Sequence, residues 1–446
     1  MHLRFCLYLQ GGCCMLIKYV FQNFRSFKNK TQLNMTAGRQ STLDENLIRK
    51  NNLRILPSSV IYGANASGKS NIIMSLALMR EIVLQGSLKA LSPDLNNLEL
   101  YPFAHSSEQK PMLFELEFIN KDSHFIYFFE VLTKSFDKDK RQIVAEQLWI
   151  KKNRTLIQIF ERGLRQVEIK KDKKVLSIIQ YDEKLLIEIE NKINKNLDPT
   201  ELFLTHAFKT VVSSEIADKV IDYFQNKLIV VSDFTLKKTN ITFSTTDMPD
   251  KSFFAWNKTL DNFVKNADFG PQKVMFKSKK SNDEHSSDMQ LVSVYKYNNK
   301  EIIIPAELME SRGTLKLLDF AIPFESLFME GGTFILDEFD AAIHPELIKG
   351  ILSLFNDPTV NKKGAQLIFT THNPIYLNKK IFRRDQIKFV EKDKDTFEST
   401  IYSLADFGST DVRNDHNYLI NYFKGNYGAI PYIDFGKLLF SEAQEE

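Results

Sequence analysis

Residues 63–70 read GANASGKS and constrain the fold more than any other stretch of the chain. They match the spacing G-x-x-x-x-G-K-[ST], follow an apolar run at 55–62 and precede a helical pattern that starts near Asn71. In that setting the backbone N–H groups of the loop lie at a helix N-terminus and can bind phosphates. Lys69 then reaches the β- and γ-phosphates, and the Ser70 hydroxyl binds Mg²⁺. The sequence therefore predicts a P-loop that binds ATP with Mg²⁺ as its cofactor.

An isolated match of this length also arises by chance, so the rest of the chain must support it. The predicted nucleotide-binding residues are Gly63, Ala64, Asn65, Ala66, Ser67, Gly68, Lys69, Ser70 and Asn71.

A second motif, GGTFILDEFD at 331–340, supplies acidic residues at the end of an apolar strand. The strand is expected at 333–336. Asp337 at its end can hold Mg²⁺ through water, and Glu338 beside it can orient or deprotonate the attacking water. Taken alone, the motif could also be an ordinary strand-to-loop boundary, where Asp and Glu are common.

A third motif, QLIFTTHNP at 366–374, predicts another apolar strand that ends in Thr370, Thr371 and His372. A histidine at this point can contact the γ-phosphate, although a lone histidine is more often a helix cap or a loop residue. The order and spacing of the three motifs favour the catalytic interpretation, with Lys69, Glu338 and His372 as the catalytic set.

Between the motifs the chain changes its pattern twice. Segments between 112 and 159 alternate apolar and polar residues, which predicts an antiparallel meander. From 164 to 269 there is no glycine and apolar residues recur at helical spacing, with a helix start expected at Asp198 and Pro199. A hairpin is expected at 291–304, turning at Asn298 and Asn299.

We therefore expect an α/β fold in which a mixed and parallel sheet carries the P-loop, with flanking helices, an antiparallel meander and a mainly helical insertion. The expected boundaries are an N-terminal half at 15–160, the insertion at 161–286 and a C-terminal half at 287–446.

The three motifs, in this order, resemble those of the ABC-type ATPase heads, which include the SMC proteins and RecF. In those families a Ser-x-Gly motif opens the helix before the acidic strand, and ESRGTLKLL at 310–318 stands in that place. The resemblance implies that Ser311, Gly313 and Thr314 meet a nucleotide bound to the P-loop of a second subunit, so that a homodimer encloses two nucleotides. The match departs from the usual signature at Arg312, which replaces a glycine, and at Thr314 and Leu315, where Gly-Gln is usual.

Four stretches, at 15–29, 63–71, 310–347 and 421–433, also resemble the RloA and AbiL type of ATPase from bacterial phage-defence loci. That resemblance implies hydrolysis of ATP as a switch that controls a separate effector, expected to be a nuclease. It also implies that Arg25 and Ser26 lie close to the nucleotide, although a solvated turn explains them equally well. His344 falls in a loop that communicates across the dimer in such heads. Gln109 and Gln147 are both candidates for a glutamine that senses Mg²⁺.

The charge of the chain is nearly balanced, with 59 basic and 56 acidic residues and a net charge of +3. There is thus no overall attraction to nucleic acid, and two lysine clusters are either solvated surface or contacts for the DNA backbone. The clusters are Lys170, Lys171, Lys173 and Lys174, and Lys277, Lys279 and Lys280.

The N-terminal 14 residues contain all three cysteines, Cys6, Cys13 and Cys14, which excludes a disulfide framework in the rest of the chain. We expect residues 1–14 to be a non-native extension before Met15. No apolar run reaches the roughly 18 residues that span a bilayer, so we expect a cytoplasmic protein with no membrane role.

Other functions remain open. A DNA-binding repair ATPase of the RecF kind would need no effector, and a scaffold could bind ATP with little turnover. A self-contained nuclease of the OLD kind would need an acidic metal-binding domain beyond His372, where Asp415, His416 and Asn417 are expected to belong to a final helix.

Overall fold

The computed structural model describes residues 13–50, 52–89, 100–103, 110–133, 141–152, 155–232, 254–256, 258–267, 270–278, 289–408 and 417–431. The strands are β1 (Met15–Gln22), β2 (Thr31–Asn34), β3 (Ile48–Lys50), β4 (Leu53–Ile55), β5 (Ser58–Gly63), β6 (Met112–Asn120), β7 (Ser123–Thr133), β8 (Arg141–Lys152), β9 (Thr155–Gly163), β10 (Val167–Ile169), β11 (Leu228–Val231), β12 (Phe254–Trp256), β13 (Lys273–Ser278), β14 (Met289–Tyr297), β15 (Lys300–Pro305), β16 (Gly332–Leu336), β17 (Ala365–Thr370), β18 (Ile387–Lys392) and β19 (Ser399–Ser403).

The α-helices are α1 (Lys69–Gln85), α2 (Lys173–Ile179), α3 (Glu183–Lys195), α4 (Ser214–Asp222), α5 (Lys258–Asn266), α6 (Ala306–Met309), α7 (Arg312–Glu330), α8 (Pro345–Asn356) and α9 (Tyr418–Phe423). Leu204–Val212 and Tyr223–Lys227 are π-helical. Short 3₁₀ turns span Asp44–Asn46, Pro374–Tyr376, Arg384–Gln386 and Leu404–Asp406.

The strands that carry the three motifs lie in one sheet with the order β11-β16-β17-β5-β18-β19, parallel except for β19. Every residue of β5, β16 and β17 is buried, as expected for parallel strands covered on both faces. Ile61 of β5 packs into the core that includes α1, whereas Val60 and Tyr62 pack into the core formed with α7 and α8. The alternation of side chains along β5 thus joins two hydrophobic cores.

The predicted meander is present as an antiparallel sheet with the order β10-β9-β8-β7-β6-β1-β2. Its inward residues, such as Phe114, Phe118 and Tyr127, belong to the same core as α1. The predicted hairpin is also present, because Asn298 and Asn299 join β14 to β15 with φ values of 49° and 62°. Both values suit the type I′ turn of a two-residue hairpin. The predicted α/β fold, with parallel and antiparallel sheets and flanking helices, is confirmed.

Helical residues outnumber strand residues in the described part of the segment 161–286, as predicted, but the segment also contributes strands to neighbouring sheets. It contains α2 to α5 and the π-helical segments, but β11 leaves it to pair with β16 in the parallel sheet. In addition, β12 and β13 form a four-stranded antiparallel sheet with β14 and β15. The expected boundary at 286 therefore cuts through one sheet. The run Leu228–Val231 is too short for its periodicity to separate a buried strand from a helix.

Two local predictions are corrected. The Asp198 carboxylate accepts the backbone N–H of Thr200 at 2.8 Å, which forms a turn, and the next helical segment begins only at Leu204. Cys13 and Cys14, placed in an extension by the sequence, pack on the fold: Cys14 is buried and its thiol bonds to Asn120. Neither of these two thiols forms a disulfide within the part of the chain that the structure describes.

Candidate functional site

The parallel sheet brings the three motifs to one place. β17 lies between β5 and β16, and the carboxyl ends of adjacent parallel strands meet at the same edge of a sheet. The P-loop follows β5, Asp337 and Glu338 follow β16, and His372 follows β17. The sequence could not give this order, because β5 and β16 are more than 250 residues apart and do not pair directly.

Neighbouring atoms lie so close to the glycines of the P-loop that a side chain would not fit at either position. A Cβ at Gly63 would lie 2.5 Å from the Val390 carbonyl oxygen. Gly68 has a φ of 114°, which favours glycine, and precedes the first turn of α1. The Ser67 hydroxyl is buried and lacks a hydrogen-bond partner among the described residues. A tight loop with an unsatisfied hydroxyl at a helix N-terminus fits an anion such as phosphate.

Lys69 is the buried cation of this loop. Its Nζ donates to the carbonyl oxygens of Gly63 and Ala64, both at 2.9 Å. Burial lowers the pKa of Lys69 from 10.5 to about 8, while the charges of Asp337 and Glu338 act in the opposite direction. The three side chains predicted as parts of one site are therefore close enough to influence one another.

The backbone of Glu338 is held at both its N–H group and its carbonyl oxygen. Thr370 Oγ1 accepts the Glu338 N–H at 2.8 Å and donates to Asp337 Oδ1. Lys316 Nζ donates to the Glu338 carbonyl oxygen at 2.7 Å. These contacts hold Glu338 at a φ of 45°, a conformation that non-glycine residues seldom adopt outside turns and functional sites. No sequence motif points to Lys316, which lies on α7.

His372 lies beside Glu338, with 3.8 Å between Nε2 of the histidine and Oε1 of the glutamate. Both side chains are partly exposed, at 42% and 44%. Burial and the charge of Lys69 lower the pKa of His372 below 6.5, against the opposing charges of Glu338 and its neighbours. The lowered pKa favours the neutral imidazole, which can donate one hydrogen bond.

Ser26 contacts the P-loop region, as the resemblance implied. Asn71 Nδ2 donates to Ser26 Oγ at 2.8 Å, and Ser399 N donates to the Ser26 carbonyl at 2.7 Å. The Ser399 hydroxyl also donates to the Ser67 carbonyl at 2.6 Å, a contact that no local pattern predicts. Arg25 lies in the same turn, with a φ of 50° and its guanidinium 5.6 Å from the Phe24 ring centroid.

The predicted signature opens α7. Ser311 is its N-cap, accepting the Thr314 N–H at 3.1 Å, and the two hydroxyls lie 2.9 Å apart. Gly313 is buried against the loop after β16, where a Cβ would lie only 2.1 Å from the Ala342 carbonyl oxygen. Within the chain, Gly313 thus has a packing role that is independent of any second subunit.

This close approach gives a prediction. Gly313→Ala should displace the loop at Ala342 and destabilise the protein by about 1–3 kcal/mol through overpacking. The matched control is Gly350→Ala, at an exposed position of α8 where a Cβ meets nothing within 4 Å. It should instead stabilise by up to about 1 kcal/mol through helix propensity. Chemical unfolding of both variants measures the difference, and equal effects would contradict the role given to Ala342.

The remaining predicted residues lie as follows. His344 is the exposed N-cap of α8 and accepts the Glu346 N–H at 3.3 Å. Gln147 is on β8, where its side chain accepts from Trp149, and Gln109 lies outside the described residues. Ser70 and Asn71 begin α1, whereas Asn65 and Ala66 are exposed at the tip of the loop.

The first lysine cluster is partly neutralised. Lys170 pairs with Glu161 and Glu168, and Lys171 pairs with Glu190 at 2.8 Å. Of the second cluster, Lys279 and Lys280 lie outside the described residues, as do Asp415 and His416. Asn417 is the N-cap of α9, as the expected final helix requires.

No helix within the described ranges is long and apolar enough to cross a bilayer. Nor do the described residues contain a group of three or more His, Cys, Asp or Glu side chains that could by itself hold a metal ion.

The solved structures that resemble the chain include two SMC head domains. That of Pyrococcus furiosus, solved with an extended coiled coil and bound to the C-terminal domain of ScpA, is 16% identical, with a TM-score of 0.40, and the match covers 87% of this chain and 96% of that one. The SMC head domain of Thermotoga maritima is 14% identical, with a TM-score of 0.31, covering 87% and 98%.

No curated protein sequence matches the chain. A protein-family model does, over residues 58–378, and its description is "AAA domain, putative AbiEii toxin, Type IV TA system". The matched region runs from β5 to the end of the histidine motif and so includes all three motifs and the signature. Because the match covers more than half of the chain and includes the P-loop, the acidic strand and the histidine strand, the chain belongs to this AAA-domain family.

Proposed function

We propose that the chain binds and hydrolyses ATP, and that nucleotide binding closes a homodimer whose shape controls a separate effector. The observation that carries the proposal is the convergence of Lys69, Asp337, Glu338 and His372 at the ends of three adjacent strands. A buried cation, a carboxylate pair and a neutral imidazole around a glycine-rich loop suit phosphoryl transfer to water.

Each residue has a part in this chemistry. The P-loop amides and Lys69 hold the phosphates, and Glu338 orients and deprotonates the attacking water. His372 donates a hydrogen bond toward the γ-phosphate. Its imidazole also lies beside the Glu338 carboxylate, so the two side chains face the same phosphate. Ser70 and Asp337 would hold Mg²⁺, because a hydroxyl and a carboxylate are the oxygen ligands that Mg²⁺ prefers. When bound, the ion neutralises charge on the phosphates.

The proposed dimer is supported by the position of Ser311 at the exposed N-terminus of α7, with Gly313 and Thr314 beside it. A helix N-terminus is able to bind a phosphate presented by another subunit. Arg25 and Ser26 would instead line the nucleotide bound to the P-loop of their own chain, since Ser26 accepts a hydrogen bond from Asn71.

The proposed output passes through the helices between β10 and β11. Arg80 of α1 donates to the carbonyl oxygen of Phe224 at 2.7 Å, and Leu202 N donates to the Gly86 carbonyl at 2.8 Å. A shift of the P-loop helix on nucleotide binding would thus reach these helices directly. Together with the family description, this supports the regulation of an effector, a nuclease in the RloA and AbiL type of defence system.

The test is the solution mass of Glu338→Gln with and without ATP and Mg²⁺. We expect a monomer without nucleotide and a dimer with it, because blocked hydrolysis preserves the closed state. Ser311→Arg in the same background should prevent dimerisation while leaving ATP bound. If the solution mass is the same with and without ATP, the proposed nucleotide-dependent dimerisation is overturned, and only the proposed nucleotide binding remains.

A further inference from the structure

Glu310, the residue before Ser311, is bound to a sheet that carries none of the three motifs. Ser293 Oγ and Tyr295 Oη on β14 each donate to Glu310 Oε1 at 2.6 Å. Hydrogen bonds from hydroxyls to a carboxylate are short and stronger than those between neutral groups. The Ser293 side chain is fully buried, so its hydroxyl depends on this partner.

The segment around Glu310 follows directly from β15 of the same sheet, but few of its side chains are buried. α6 is four residues long and only Ala306 of it is buried, whereas Leu308 is 76% exposed and Met309 is 50% exposed. Glu310 N closes the helix by donating to the Ala306 carbonyl at 2.8 Å. The carboxylate of Glu310 therefore adds a polar link between this segment and β14, beside the covalent connection through β15.

On its other side Ser311 is attached to the loop after β16. Gly313 packs directly on the Ala342 carbonyl, and Lys316 binds the carbonyl oxygen of Glu338. Ser311 thus lies between two anchors. One is the four-stranded sheet, through Glu310, and the other is the acidic motif, through the first turn of α7.

We propose that Glu310 is a positioning residue that transmits the placement of the four-stranded sheet to Ser311, and so sets whether Ser311 can meet a nucleotide bound by a second copy of the chain. This rests on the proposed function, because it assumes that Ser311 acts across a dimer. Glu310 does not touch the nucleotide. It fixes the backbone immediately before the N-cap, where a small rotation redirects both the Ser311 hydroxyl and the free N–H groups of the helix.

The test uses Glu310→Ala and Glu310→Gln in the Glu338→Gln background, with the ATP-dependent dimer measured by sedimentation. Both hydroxyls donate to the same oxygen, so the glutamine amide oxygen can accept both bonds. We expect the dimer dissociation constant to rise about tenfold or more for alanine but only about threefold or less for glutamine.

A second route removes the donors and leaves Glu310 unchanged. The double variant Ser293→Ala/Tyr295→Phe should weaken the dimer as Glu310→Ala does, and it keeps the proposal testable if Glu310→Ala fails to fold. The matched control is Glu307→Ala, also on exposed α6, which should dimerise like the parent. ATP affinity of the monomer should be the same in every variant, since the P-loop is unaltered; a merely unfolded variant would lose it.

The outcomes separate two failures. If Glu338→Gln does not dimerise with ATP, the proposed function fails and the role of Glu310 with it. If the parent dimerises and Glu310→Ala dimerises equally well, or Glu310→Gln is as weak as Glu310→Ala, only the positioning role is overturned.

Discussion

Lys69→Ala is expected to abolish ATP binding at any concentration found in cells. The Lys69 side chain is buried, and its Nζ donates to the carbonyl oxygens of Gly63 and Ala64. Burial already lowers the pKa of Lys69 to about 8, so the ammonium is poorly solvated and gains much from phosphate oxygens. Loss of two charge-assisted hydrogen bonds, about 1.5–3 kcal/mol each, corresponds to roughly a hundredfold or greater loss of affinity.

The measurement is direct titration of ATP with Mg²⁺ by calorimetry. Lys349→Ala is the matched control, since Lys349 is a surface lysine on α8 that pairs with Glu346 at 2.7 Å. It should bind ATP like the unaltered chain, because surface pairs contribute little to folding. ATP affinity of Lys69→Ala within about threefold of the parent would mean that residues 63–70 do not form the phosphate site.

The sequence predicted the motif-bearing strands well for a physical reason. Each is a short run of apolar residues that ends in residues with special chemistry, and burial on both faces removes the alternation that would suggest another element. The meander and the hairpin at Asn298 were equally predictable, because the alternation of apolar and polar side chains and the residues that favour a turn are local properties of the sequence.

What the sequence concealed depends on contacts between distant residues. Ser399 meets Ser67 across 332 positions, Lys316 meets Glu338 across 22, and neither pair has a local signature. The sequence did not predict β11, because a strand of four residues is stabilised mainly by pairing with its neighbour, here β16, which lies far away in the sequence. The candidate site was thus predictable in its motif residues but not in the contacts that orient them.

One of those contacts changes how the acidic motif is understood. With its N–H bound to Thr370 and its carbonyl bound to Lys316, the backbone of Glu338 is fixed independently of its side chain. A substitution that keeps the size of the side chain should therefore leave the loop unchanged, which makes the function of the carboxylate separable from its structural setting.

For this reason Glu338→Gln is expected to lower the turnover number by about 10²–10⁴-fold, the usual contribution of a general base, while ATP affinity changes little. The glutamine can still accept a hydrogen bond but cannot take a proton from water at neutral pH. Single-turnover hydrolysis of bound ATP separates this effect from slow product release. Glu346→Gln is the control, because Glu346 lies in the first turn of α8, pairs with Lys349 and is not part of the proposed phosphate site.

The two arms of the measurement identify the function of the carboxylate. A lower turnover number with an unchanged Michaelis constant for ATP places Glu338 in the transition state, as a base that readies water. If both constants changed together, Glu338 would instead contribute to binding of the nucleotide and its metal. Turnover within about threefold of the parent would exclude Glu338 as the base. The next residue to substitute would then be His372, whose Nε2 lies 3.8 Å from Glu338 Oε1 and whose lowered pKa favours the neutral imidazole.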